Sequence, residues 1–481
     1  MSTGHPLKHH ATLLIGVGLL LFSVFSPALP NLSHEATKVA LLAVAMSFLW
    51  VTEAIPIPAT ALLPIVLLPL SGVSSVGEAT SPYADPIIYL FMGGFMLSIA
   101  MERWNLHRRL ALRIICVFGT KPRSLVLGFL VSAAFLSMWV SNSATAMMLL
   151  PIAISIHGIL KRDASLTAPS SHLGSALVLA IAYGANIGGM GTLIGTPPNA
   201  ILKGFLERTY GIHISFADWM KLGVPLVILS VPLAHLILTR VSFRVQNDDT
   251  PGLKSSIDQE LIKLGKTTRP EWIVLLAFSC AVVAWITRGF WKSSYPFITD
   301  EVIAMTAATT LFFIPAEFQS RRFVLDWDAV RKIPWDVLIF FGGGLSLASA
   351  FEKTKLAESM AGMLNGLASW PALWIVFLVV AVMIIATALT SNTATTAAFL
   401  PVIGALAVTL DLPILLLTAP VALAASADFM LPVGTPPNAI AYGSGLVPLP
   451  RMIRSGLWVD LLFLLLIPLL MWTIGRWVFS L

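Results

Sequence analysis

The polar residues of this chain that could do chemistry come in two matching sets. Ser141-Asn142-Ser143-Ala144-Thr145 is followed by Gly195-Thr196-Pro197-Pro198-Asn199-Ala200. Ser391-Asn392-Thr393-Ala394-Thr395 is followed by Gly434-Thr435-Pro436-Pro437-Asn438-Ala439. A weaker pair precedes them, Phe91-Met92-Gly93-Gly94 and Phe340-Phe341-Gly342-Gly343. Partners lie 250, 239 and 249 residues apart, so the offset is nearly constant. The chemistry is ion binding by neutral groups. Hydroxyl and amide oxygens, with carbonyls freed where proline cannot continue a turn, suit Na⁺. Amides, hydroxyls and the orphan N–H groups of helix N-termini suit carboxylates. Glycine- and proline-interrupted apolar segments at corresponding places in two halves mark a secondary transporter, with a site built from broken helices.

Composition places these motifs in a membrane. Hydrophobic residues make up 57% of the 481 and charged residues 11%, with mean hydropathy +0.86, well below the charge of a soluble domain. The net charge of +6 does not point to nucleic acid, because the basic residues are scattered through short loops. Cys116 and Cys280 both lie in or beside apolar segments, which implies no disulfide framework and suggests buried thiols. The first apolar run, 11–29, reads as a membrane span; it is long for a signal peptide and lacks a convincing cleavage site.

The expected fold is an all-α polytopic membrane protein with eleven spans and two re-entrant hairpins. The spans fall near 11–29, 37–54, 57–72, 87–102, 173–206, 218–240, 271–289, 300–316, 334–351, 412–444 and 456–479. The fifth and tenth are broken at the Thr-Pro-Pro-Asn motifs. Residues 124–160 and 371–410 carry no Asp, Glu, Lys or Arg, and Asn142 and Asn392 stand near their midpoints. Each stretch is too long for one span. Folded in half it gives two arms that reach partway across, with the polar motif at the tip. Such backbone is tolerated at depth where it lines a cavity.

Loop charge sets the orientation. With the N-terminus cytoplasmic and the C-terminus outside, the cytoplasmic segments hold 21 of the 30 Lys and Arg. Basic flanks on both sides of 124–160 require that stretch to return to its own side. The chain then divides into a first span in 1–36, a first repeat 37–240, a cytoplasmic linker 241–270 and a second repeat 271–481 of inverted topology. The setting that fits is a bacterial inner membrane.

No Lys or Arg lies within either hairpin. A dianion bound at the tips would be balanced by helix dipoles, neutral donors and co-bound cations, which predicts strong coupling to a cation. One Ser-Asn-Thr in a membrane helix serves helix packing; two at matched positions read as a site. The Gly-Gly pairs fit close packing equally well. Glu53, Asp85 and Asp336 stand near span ends, where capping or interfacial placement is expected, and His235 reads as structurally buried. Asp428 is deeper, six residues before Gly434, with no acid at the matching place before Gly195. A membrane enzyme would need convergent acids, His or metal ligands, and none recur.

The motifs SNSATAMMLLP, GTLIGTPPNA, SNTATTAAFLP and MLPVGTPPNAI, with Trp50-Val51-Thr52-Glu53-Ala54-Ile55-Pro56, resemble the divalent anion:sodium symporter family of dicarboxylate and citrate carriers along essentially the whole chain. The resemblance implies a homodimer, with a scaffold domain at the interface and a transport domain that moves as an elevator. It implies one sodium site per repeat: Ser137, Ser141, Asn142 and the backbone at Gly195 for the first, Thr387, Ser391, Asn392 and the backbone at Gly434 for the second. Substrate carboxylates would meet Asn142, Ser143, Thr196, Asn392, Thr393 and Thr435, with Pro197 and Pro436 beside them. Family members usually carry Thr where this chain has Ser143, a change that bears on substrate fit. The implied activity is sodium-coupled uptake of C4-dicarboxylates such as succinate, malate and fumarate. A sodium-independent dicarboxylate or tartrate exchanger is the alternative.

Overall fold

The computed structural model describes residues 6–30, 32–119, 121–162, 170–245, 253–317, 322–356, 359, 366 and 369–480. Part of the linker, 246–252, and residues 1–5 of the first segment lie outside the described residues. Among the described residues the chain is all-helical, apart from one isolated bridge between Pro315 and Phe323. Among the described residues seven helices are long and apolar enough to cross a membrane, His34–Thr52, Arg269–Trp291 and Ala372–Leu389 among them, and shorter apolar helices accompany them. The segment 57–72 is split into Ile57–Ala61 and Leu63–Leu70, because Pro64 has no N–H to carry the helix across Leu62.

The two uncharged stretches each fold as a pair of helices. Pro122–Ser137 is followed by Asn142–Arg162, and Ala372–Leu389 by Asn392–Thr409. Both first arms stop just before the Ser-Asn pair, and both second arms begin at the Asn. The fifth and tenth segments are broken where the prolines demanded. Ser170–Gly189 gives way to Pro197–Tyr210, and Ile414–Ala425 to Pro436–Gly443. In both, proline occupies the first helical position, where no partner for its missing N–H is required.

Small residues let these elements meet closely. Gly184 and Gly188 lie one turn apart against the first arm of the first hairpin. A Cβ on Gly188 would come within 2.0 Å of the Ala134 carbonyl, and one on Gly184 within 2.5 Å of the Leu130 carbonyl, the small-residue contact typical of membrane helices.

On the side of the linker, Arg109 and Glu271 form a buried pair at 2.7 Å. The same guanidinium donates to the carbonyls of Leu264 and Gly265, which ties the linker helix Leu253–Leu264 to helix Leu106–Phe118. Outside the spans, the Arg103 guanidinium beside Asp326 holds that carboxyl below the usual carboxylate range. Asp85 caps helix Pro86–Arg103 through the Ile87 amide, as its position suggested. His235 is part-buried, its Nε2 3.0 Å from the Arg123 carbonyl.

One expectation is corrected. Cys116 and Cys280 are exposed, so apolar neighbours in sequence did not mean burial. Asp336 lies in the first turn of helix Trp335–Lys353, at the end of that segment, and also borders the central cavity.

Candidate ion and substrate site

Both hairpin tips and both helix breaks border one cavity of about 490 Å³. Asn142, Ser143, Thr196 and Pro197 come to it from the first half, and Asn392, Thr393, Thr435 and Pro436 from the second. Ser141, Gly195, Ser391 and Gly434 also border it. Ser137 and Thr387 are fully buried behind the tips. The structure thus brings together, from positions up to 299 residues apart in the chain, the whole set singled out by the repeated motifs.

Four helices begin at this cavity: Asn142–Arg162, Pro197–Tyr210, Asn392–Thr409 and Pro436–Gly443. Each N-terminus carries about half a positive charge, and those at Asn142 and Asn392 also offer unpaired amides, which Pro197-Pro198 and Pro436-Pro437 cannot. The caps leave part of this capacity free. Ser141 Oγ accepts from the Ala144 amide at 3.3 Å, whereas Thr196 and Ser391 make no side-chain cap bond. Four such ends aimed at one volume make an environment for an anion without a basic side chain from either hairpin.

The tips carry acceptors as well as donors. In the first, the Ser137 hydroxyl donates to Asn142 Oδ1. In the second, the Thr387 hydroxyl donates to Asn392 Oδ1 at 2.7 Å and also reaches the Ala425 carbonyl at 2.7 Å. Each asparagine is held by a hydroxyl five residues before it. Its orientation is therefore fixed by its own hairpin. Each tip is also tied to the break beside it, in the first half by the Thr192 hydroxyl donating to the Met138 carbonyl.

The breaks are pinned by the asparagine of the Pro-Pro-Asn motif. Asn199 Nδ2 donates to the carbonyls of Gly189 and Thr192 at 3.2 and 2.8 Å. Asn438 Nδ2 donates to those of Asp428 and Leu431, both at 3.0 Å. These amides hold the unwound turns open and leave the remaining carbonyls for a cation. The hydroxyl, amide and carbonyl oxygens around each tip and break are of the kind that fits Na⁺.

Several participants escaped the sequence. Asn186, in the first broken helix, donates to the Asp428 carbonyl and the Thr435 hydroxyl, both at 3.1 Å. It bonds the first repeat to the break of the second. The matching position of the second repeat is Ala425, so no repetition flagged it. Glu102, Lys332 and Asp336 also line the cavity. A fixed cation therefore borders it, though not from within the hairpins.

Comparison with known proteins agrees with this geometry. The family model for the sodium:sulfate symporter transmembrane region matches residues 7–481. The sodium-dependent dicarboxylate transporter SdcS of Staphylococcus saprophyticus is 41% identical over 466 residues, covering 94% of this chain and 88% of that protein. Its counterpart from Staphylococcus aureus strain RF122 is 41% identical over 469 residues, covering 96% and 90%. Among solved structures, the YdaH transporter of Alcanivorax borkumensis matches with a TM-score of 0.57, covering 93% of this chain and 98% of its own. At 12% identity that match speaks for the fold alone.

Proposed function

The chain belongs to the sodium:sulfate symporter family, the divalent anion:sodium symporters, and we propose that it takes up C4-dicarboxylates such as succinate, malate and fumarate together with sodium. The observation that carries this reading is the convergence of two Ser-Asn tips and two Thr-Pro-Pro breaks on one cavity. Its volume of about 490 Å³ suits a small dianion with its ions. The names of the SdcS relatives point the same way.

In this mechanism each repeat holds one sodium ion. The first lies among Ser137, Ser141, Asn142 and the Gly195 carbonyl, the second among Thr387, Ser391, Asn392 and the Gly434 carbonyl. The carboxylates of the substrate meet the amides and hydroxyls of Asn142, Ser143, Thr196, Asn392, Thr393 and Thr435. Sodium draws each tip toward its break and so completes the anion site. Glu102, Lys332 and Asp336 line the cavity beside segments rich in Lys and Arg, which supports its opening to the cytoplasm. Return to the outside requires the tips and breaks to move as a unit, an elevator within a homodimer.

Uptake of radiolabelled succinate into proteoliposomes tests the reading. Accumulation driven by an inward sodium gradient is expected, and none with choline in its place. Uptake only into vesicles preloaded with another dicarboxylate would make the protein an exchanger.

A further inference from the structure

The 239-residue offset that pairs Gly195 with Gly434 and Asn199 with Asn438 also pairs Gly189 with Asp428. A Cβ on Gly189 would lie 2.9 Å from Asn142 Oδ1 and 3.1 Å from the Gly195 carbonyl oxygen. A side chain at that position would thus point at the oxygens assigned to the first cation, and the first break has none. The second break does. Asp428 is fully buried, and its Oδ2 lies 1.4 Å from where a Cβ on Gly434 would be. The carboxylate occupies the space beside the Gly434 α-carbon, so glycine is required there by the neighbour it has.

Neither oxygen of Asp428 has a hydrogen-bond partner among the described residues; the Leu431 amide faces it short of hydrogen-bond geometry. Asp460, on helix Leu449–Leu470, is within electrostatic reach and is also buried, with no side-chain partner and with the Phe429 amide facing it. The hydroxyls of Tyr183 and Ser455 lie in the same group, fully buried and facing each other. No Lys or Arg among the described residues pairs with either acid. Two carboxylates in a membrane interior with no basic side chain beside them leave an unmet demand for positive charge.

We propose that Asp428 is a ligand of the cation held at the second break, which gives that position a fixed negative charge where the first is built from neutral oxygens alone. The inference rests on the breaks being sodium sites. The second site then binds sodium more tightly than the first.

The experiment is binding of radioactive sodium to the purified full-length protein. The wild type should show two affinities, and Asn142→Ala, which weakens the first site, should keep the tighter one. The double variant Asp428→Ala/Gly434→Ala refills the vacated space with a methyl group and so keeps the packing. It should unfold at the wild-type temperature and bind sodium at the tighter site on the order of tenfold more weakly. Asp428→Asn, which removes the charge and keeps the shape, should weaken that site likewise. Unchanged tight affinity in both folded variants overturns the role of Asp428 and leaves sodium coupling intact. A wild type that binds no sodium overturns both readings.

Discussion

Asn199 and Asn438 make the same two bonds at the same two separations. Each side-chain amide donates to the carbonyls ten and seven residues before it, Gly189 and Thr192 in one case, Asp428 and Leu431 in the other. Both asparagines are fully buried. A repeated short motif has become a repeated clamp, and the clamp shapes the unwound turn from which each cation site draws its carbonyls.

Removing a clamp should therefore cost stability and coupling together. Asn199→Ala leaves the Gly189 and Thr192 carbonyls without their amide donor, and Asn438→Ala leaves that of Leu431 without one while Asn186 still donates to Asp428, a loss of about 1–3 kcal/mol each. Thermal unfolding of the purified variants should show the drop, and sodium-driven uptake should fall further than stability does. A variant with wild-type sodium dependence would remove the clamp from the mechanism.

At the tips the expectation is sharper. Asn142→Ala and Asn392→Ala delete amides that border the cavity and face both ion and substrate. Transport should be nearly abolished while the protein folds normally. Ser143→Thr keeps its hydroxyl and should stay active with altered preference among dicarboxylates, read from competition by unlabelled substrates.

The pair Arg109 and Glu271 carries stability rather than transport. Arg109→Ala strands a buried carboxylate and removes donors from the Leu264 and Gly265 carbonyls, which should destabilise by about 3–5 kcal/mol. Replacing both residues with apolar ones of similar size should recover most of the loss in a thermal unfolding series.

Orientation is testable by labelling. In a background without Cys116 and Cys280, a cysteine at Ile262, which is 75% exposed on the linker side, should react with an impermeant thiol reagent only from the cytoplasmic side. One at Ser294 should react only from outside. The opposite pattern would reverse the topology read from the basic loops.

The sequence made the local features legible and left the long-range ones dark. Proline pairs dictate a broken helix wherever they fall, so the breaks before Pro197 and Pro436 were readable. The uncharged stretches around Asn142 and Asn392 announced hairpins because a charge-free segment too long for one span must turn. What depends on helix packing was not readable. Asn186 reaches the opposite repeat across the crossing of two helices, and Ala425 at its matching position offers no echo. Glu102 is far from Lys332 and Asp336 in the chain and joins them at the cavity only in the fold. The exposure of Cys116 and Cys280 depends on which face of a helix is covered, which neighbouring apolar residues do not reveal.

The central claim is that sodium and a dicarboxylate bind to each other's advantage in one cavity. Calorimetric titration of succinate into the purified protein, in sodium chloride and in choline chloride of equal ionic strength, tests it most directly. Two sodium ions that neutralise the dianion and draw the tips into binding shape should raise succinate affinity, and succinate should raise sodium affinity by the same factor. Equal succinate affinity in the two salts would contradict the account.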